Sequence, residues 1–206
     1  MTGPGNYKKE KLSINLLWAN LSGILISFPV FLAMGLPFYL IWRDDFTISS
    51  LKKMMNGISP DIIPVYAMLF FLLLITGIIL HELIHGIIWS VFAEGGFKSI
   101  KFGVVWKLLT PYCHCKQPLK VRHYLFGALM PALALGIVPG IISIIIGNLL
   151  MLIFGIIFTI ASAGDFIIIN LLMKENMDDL VEDHPSETGC YIYRKLIKLE
   201  SEDPRT

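Results

Sequence analysis

Two imidazoles and a carboxylate set the chemical agenda of this chain. Residues 81 to 85 read His81-Glu82-Leu83-Ile84-His85, an HExxH pentapeptide. Histidines at that spacing lie on one face of a helix and can grip a single zinc ion. The glutamate between them is placed to take a proton from a water that such an ion activates. Between Ile62 and Ala93 these three residues are the only acidic, basic or imidazole side chains. Ionisable groups inside an apolar segment are costly and mark function. The expectation is a zinc hydrolase centred inside a bilayer. Haem is the weaker reading, because two histidines that ligate haem normally approach from opposite sides of the ring.

A catalytic zinc held by two histidines needs a third protein ligand, often a carboxylate, and keeps its fourth position open. The sequence offers one candidate inside an apolar block, Asp165. His81 and His85 centre about ten residues, or roughly 15 Å, before the end of their block, and Asp165 lies about eight residues, or roughly 12 Å, before the end of its own. The depths match. Glu94 is too far along a continuous helix to share an ion with His85. Cys113, His114 and Cys115 remain open as ligands if their loop re-enters the membrane, and Asp183 and His184 if the tail reaches back. The Cys113-His114-Cys115 triplet lacks the paired spacing of a zinc ribbon and reads better as reduced cysteines on one face of an extended segment.

The elements that must hold these residues are apolar. The chain has 206 residues, 55% hydrophobic and 16% charged, with a mean hydropathy of +0.68; a soluble domain carries about a quarter charged residues. Four apolar blocks, roughly Ile14–Trp42, Ile62–Ala93, Tyr124–Ile146 and Leu149–Met173, are each long enough to span hydrocarbon. The first contains Pro29, Gly35 and Pro37, which predict a kink. Pro60 and Pro64 punctuate the start of the second, and Gly95-Gly96 follow its end. The third holds Gly127, Pro131, Gly136, Pro139 and Gly140, read as close helix packing with proline kinks. Gly147-Asn148 predicts a tight turn into the fourth.

From Ile100 the period changes to two, with Ile100, Phe102, Val104 and Trp106 on one face and Lys101 and Lys107 on the other. A second short extended stretch follows near Tyr112–Cys115, so a hairpin at the membrane surface is expected. The fold class is therefore an all-α membrane protein with about four transmembrane helices and a small extended or β-hairpin segment between the second and third. Residues 1–13 form an N-terminal arm, 14–173 the integral-membrane domain and 174–206 a C-terminal tail. The tail is read as a solvated surface appendage, with Asp183-His184-Pro185 as a turn.

Lys and Arg favour the cytosolic side. Lys8, Lys9 and Lys11 lie in the arm. Lys98, Lys101, Lys107, Lys116, Lys120 and Arg122 lie between the second and third spans, and Lys174, Arg194, Lys195, Lys198 and Arg205 in the tail. The opposite side has only Arg43, Lys52 and Lys53. The expectation is a multi-pass protein of the cell membrane with both termini cytosolic. Its cysteines, Cys113, Cys115 and Cys190, then sit in a reducing compartment without disulfides. The net charge of +1 carries no signal for nucleic acid. A metal transporter would want ionisable residues at several depths, and here there is one layer.

With HExxH on one span, an extended segment, a third span and an aspartate on a fourth, the chain resembles the site-2-protease-like intramembrane metalloproteases, specifically a small branch of zincin peptidases. The resemblance implies that His81, His85 and Asp165 bind zinc and that Glu82 is the catalytic base. The glycine that usually follows the family's aspartate is absent, the sequence being Gly164-Asp165-Phe166, and no asparagine lies in the third span. The expected activity is zinc-dependent intramembrane endopeptidase cleavage of membrane-associated proteins or peptides near the cytosolic side. The alternative is a non-catalytic metal-binding or regulatory membrane protein that retains the site. An extended substrate could pair with the Ile100–Trp106 strand, and His114 and Tyr112 are candidates to stabilise the oxyanion.

Overall fold

The computed structural model describes residues 7–13, 16–45, 47, 49–50, 57, 59–106, 110–184 and 189–195. Lys52, Lys53, Lys107, Pro185, Lys198 and Arg205, used above, lie outside the described residues.

Helices α1 (Leu16–Val30) and α2 (Leu36–Trp42) are joined by a π-helical segment at Phe31–Gly35. Pro29 and Pro37 flank that segment. Each proline removes a donor and crowds the carbonyl four residues back, and a wider π turn accommodates both defects. A 3₁₀ turn at Pro60–Ile62 opens α3 (Ile63–Phe92). Pro64 sits in the first turn of α3, where no intrahelical donor is lost. The 30 residues of α3 make a rod of about 45 Å, longer than the roughly 30 Å hydrocarbon core.

Strands β2 (Ile100–Val105) and β3 (Thr110–Cys115) form the expected antiparallel hairpin, with Ile100 opposite Cys115 and Phe102 opposite Cys113. The short β4 (Leu119–Lys120) leads into α4 (Val121–Pro131), a second π segment at Ala132–Ile137 and α5 (Val138–Ile146). Pro131 and Pro139 bracket this π segment as Pro29 and Pro37 do the first. Gly147 turns the chain with a φ of +72°, and the Asn148 side chain caps the next helix by accepting from the Met151 amide at 2.9 Å. That helix, α6 (Leu149–Ala161), meets α7 (Ala163–Leu172) at a 44° bend. The fourth apolar block is thus two helices, not one straight span.

Close packing through small residues holds the third and fourth blocks together. A Cβ on Gly155 would lie 2.7 Å from the Gly140 nitrogen and 2.9 Å from the Gly136 oxygen. Across the molecule the helices turn a broad apolar surface outward: Leu69, Phe71, Leu72, Ile79, Ile145 and Leu150 are all exposed. Among the described residues, three helices are long and apolar enough to cross a membrane, or four if α6 and α7 count as one bent span.

Two expectations are corrected. The molecule is mostly helical, but all-α is too narrow, because a second, four-stranded antiparallel sheet runs in the order β1-β6-β5-β4. The tail is no solvated appendage, since its strands β5 (Leu180–Asp183) and β6 (Gly189–Lys195) build that sheet with the arm, β1 (Tyr7–Ser13). Val181, Cys190 and Ile192 are fully buried. Burying them supplies roughly 1.5–3 kcal/mol for each large apolar side chain, which a detached tail would forgo. Asp183 is the last residue of β5, and the turn expected over Asp183-His184-Pro185 runs on outside the described residues. These side chains join Trp89, Cys115, Val121, Tyr124 and Leu172 in one core, at the end of the helices where arm, hairpin and tail converge.

Candidate metal centre

The bend in the fourth block delivers Asp165, the third side chain of the candidate ligand cluster. Thr159 and Ser162 turn their hydroxyls back onto the carbonyls of Gly155 and Phe158, at 2.8 and 3.0 Å. Hydroxyls bonded to the carbonyl four residues earlier bend helices. A new helix begins at Ala163, and Asp165 lies in its first turn, where unpaired amides and the positive end of the helix dipole favour a carboxylate.

His81 and His85 project from α3 toward this carboxylate. His81 Nε2 lies 3.2 Å from Asp165 Oδ2, His85 Nε2 lies 3.3 Å from Asp165 Oδ1, and the two Nε2 atoms are 3.2 Å apart. Ligands held at about 2.0–2.1 Å from a tetrahedral ion stand about 3.3 Å from one another, so these separations match one face of a tetrahedron. His85 Nδ1 is 3.0 Å from the Gly127 carbonyl, to which it can only donate. Its Nε2 is then left with a lone pair facing the cluster, as a metal ligand requires. The side chains of His81 and His85 are 12% and 5% exposed. Two imidazole edges and a carboxylate in so little space need positive charge among them, and the donor set suits zinc.

Aromatic packing fixes the His85 ring. It stacks on Trp89 with centroids 5.0 Å apart, and Trp89 stacks on Tyr124 at 4.9 Å. The Trp89 indole donates to the Tyr124 carbonyl at 3.1 Å. Gly127 makes this stack possible, because a Cβ there would collide with the indole. Gly127 reads from sequence as a packing residue; nothing in its type signals the carbonyl that orients His85.

Glu82 lies beside the triad, against the hairpin. Its carboxylate accepts from the Cys113 backbone N–H. A cavity of about 300 Å³ opens here, lined by Ile79, Glu82 and Leu83 of α3 and by Phe102, Gly103, Pro111 and Tyr112 of the hairpin. It is almost wholly apolar, with Glu82 as its one acidic group. The hairpin presses on α3 through Ile100 and Phe102, which occupy the space that a side chain at Gly86 would need.

The remaining candidates go elsewhere. Tyr112 lines the cavity. His114 faces Asp183 at 3.6 Å, Cys113 and Cys115 are free thiols, and the His184 ring packs at a tilt against Tyr191. Among the described residues His81, His85 and Asp165 are the only group of three or more His, Cys, Asp or Glu side chains placed to share an ion. Nothing in the sequence signals the role of Asp183. Its carboxylate accepts from the Tyr124 hydroxyl at 2.5 Å and from the Cys115 amide at 2.9 Å. The run of apolar and aromatic residues from Cys190 to Tyr193 was the available signal that the tail is a packed strand.

Residues 73–180, more than half of the chain, match the family described as "Putative zincin peptidase". The match spans His81, Glu82, His85 and Asp165 and stops before Asp183. No curated protein and no solved structure matches the chain.

Proposed function

Because this chain belongs to the zincin peptidase family, we propose that it is a zinc-dependent intramembrane endopeptidase of the site-2-protease type, cutting membrane-associated proteins or peptides near the cytosolic face. The observation that carries the proposal is the triangle of donor atoms at 3.2–3.3 Å formed by His81, His85 and Asp165, with Glu82 of the same HExxH motif beside it. His81, His85 and Asp165 hold the ion. Zinc bound there supplies a water acidified to near neutrality and a Lewis acid for the scissile carbonyl.

Glu82 takes the proton from the attacking water and returns it to the leaving amine. The apolar walls of the cavity beside it seat an unwound substrate segment and exclude bulk water. Helical substrate must unwind first, because its amides and carbonyls are already paired. In β2 the backbone groups of Phe102 and Val104 point away from β3, by the alternation of an antiparallel pair, and they offer the unwound segment an edge. The arm, the hairpin and the tail carry most of the basic residues and converge at one end of the helices, which supports a common cytosolic side.

One observation favours the second reading, a metal-holding regulatory protein without turnover: the Glu82 carboxylate is already engaged by the Cys113 amide. Co-expression with a membrane substrate separates the two. The protease reading expects cleavage that stops with Glu82→Gln while zinc stays bound. Bound zinc with no cleavage across a broad substrate panel would support the regulatory protein instead.

A further inference from the structure

Asp183 is a buried carboxylate that the reaction does not use. Its side chain is 13% exposed, and burial pushes its carboxyl above the ordinary aspartate value against the pull of its donors. Leaving a carboxylate there without partners would be strongly destabilising. Its partners run in two directions, and both lead to the metal centre.

The first direction is through β3. The Lys116 amide bonds Ser99 at 2.8 Å, which fixes the hairpin parity: Lys101 and His114 exchange bonds, while Cys113 and Cys115 point their amides away from β2. Those two outward amides are successive on one strand edge. Asp183 accepts from Cys115 at 2.9 Å, and Glu82 accepts from Cys113. Pro111, next on the same edge, has no amide to offer. The edge facing α3 is therefore held by two carboxylates. The second direction is through Tyr124, whose hydroxyl donates to Asp183 and whose ring supports Trp89, which supports His85.

We infer that Asp183 is a positioning residue for the metal centre: by holding the Cys115 amide it sets β3 against Glu82, and by holding the Tyr124 hydroxyl it braces the stack that orients His85. The inference rests on the reading of this site as a zinc peptidase and extends it to a residue outside the stretch that matches the family. It also gives the arm–tail sheet a purpose, since β5 is the element that carries Asp183 to the site.

The test uses the full-length protein in detergent. Asp183→Asn keeps the shape but cannot accept from both donors through charged oxygens. Tyr124→Phe removes one donor, and Glu182→Gln, on the same strand as Asp183 but bonded to Tyr193 and paired with Lys9 instead, is the control. Zinc retention against a competing chelator and amide exchange over 110–115 are read for each, with cleavage as a third measurement. Supporting partners of metal ligands change affinity or activity by about 10- to 100-fold. Asp183→Asn should therefore weaken zinc retention about tenfold and speed exchange at Cys113 and Cys115. Tyr124→Phe should weaken zinc without the exchange change, and Glu182→Gln should do neither. The double variant should be no worse than Asp183→Asn alone.

Asp183→Asn behaving like Glu182→Gln in both zinc and exchange overturns the inference. If Asp183→Asn fails to fold, wild-type zinc retention in Tyr124→Phe overturns it. Wild-type protein that holds zinc but cleaves nothing counts against the peptidase reading alone, because zinc and exchange still decide the role of Asp183.

Discussion

At the residue scale the site is built from four side chains on two helices. His81 and His85 are legible because a shared ion demands the helical repeat. Asp165 is legible because a carboxylate within an apolar block needs a partner, and the depths of the two helices match. The surrounding partners are not legible in the same way. Gly127 contributes a carbonyl and the space for an indole, and Asp183 is far away in sequence; neither contribution follows from residue type. Two predictions belong here. Elemental analysis should find zinc in the purified wild type and none in His81→Ala or Asp165→Ala, while Glu82→Gln should keep it and lower cleavage roughly 10²- to 10⁴-fold, the range for a lost general base. Gly127→Val should force Trp89 away from His85, destabilise the protein by about 1–3 kcal/mol as overpacking does, and lower zinc affinity; thermal unfolding and chelator competition measure the two effects.

At the element scale, period and punctuation foretold the hairpin, the glycine turn before α6 and the extent of α3. The bend before Asp165 was missed because it depends on where the hydroxyls of Thr159 and Ser162 turn, a choice that composition does not reveal. The four-stranded sheet does not show in the sequence because β1 comes from the start of the chain, β4 from its middle and β5 and β6 from near its end, and the charged residues of β1 and β6 read as solvated until they are seen paired. Arg194 of β6 ties the sheet to the turn after α7, bonding Glu10 of β1 and both carboxylate oxygens of Glu175. The Arg194 guanidinium holds the Glu175 carboxyl below its ordinary value of 4.5. A depressed carboxyl pKa adds stability that is fully present above the ordinary value and is lost as pH falls through the folded one. Acid should therefore loosen the sheet at pH below 4.5, seen as faster amide exchange in 189–195. Arg194→Ala should loosen it already at neutral pH and abolish that acid step.

At the scale of the whole molecule, the long apolar helices and their exposed Leu, Ile and Phe surface suit a lipid environment, and the gathering of arm, hairpin and tail at one end gives the molecule two different ends. Orientation is testable with an impermeant thiol reagent. The native thiols are poor targets, because burial pushes Cys113 up and Cys190 up to about 12, leaving both protonated at neutral pH. Lys101→Cys should label only from the cytosolic side and Asp44→Cys only from the opposite side; the reverse pattern would invert the topology.

The central claim, that Glu82 beside a zinc triad cuts membrane substrates, is tested most directly by mapping new peptide termini in membrane fractions from cells expressing wild-type or Glu82→Gln protein at equal zinc content. The account predicts a set of termini present with wild type and absent with Glu82→Gln, lying within or next to apolar segments on their cytosolic side. Identical termini in the two fractions would contradict it.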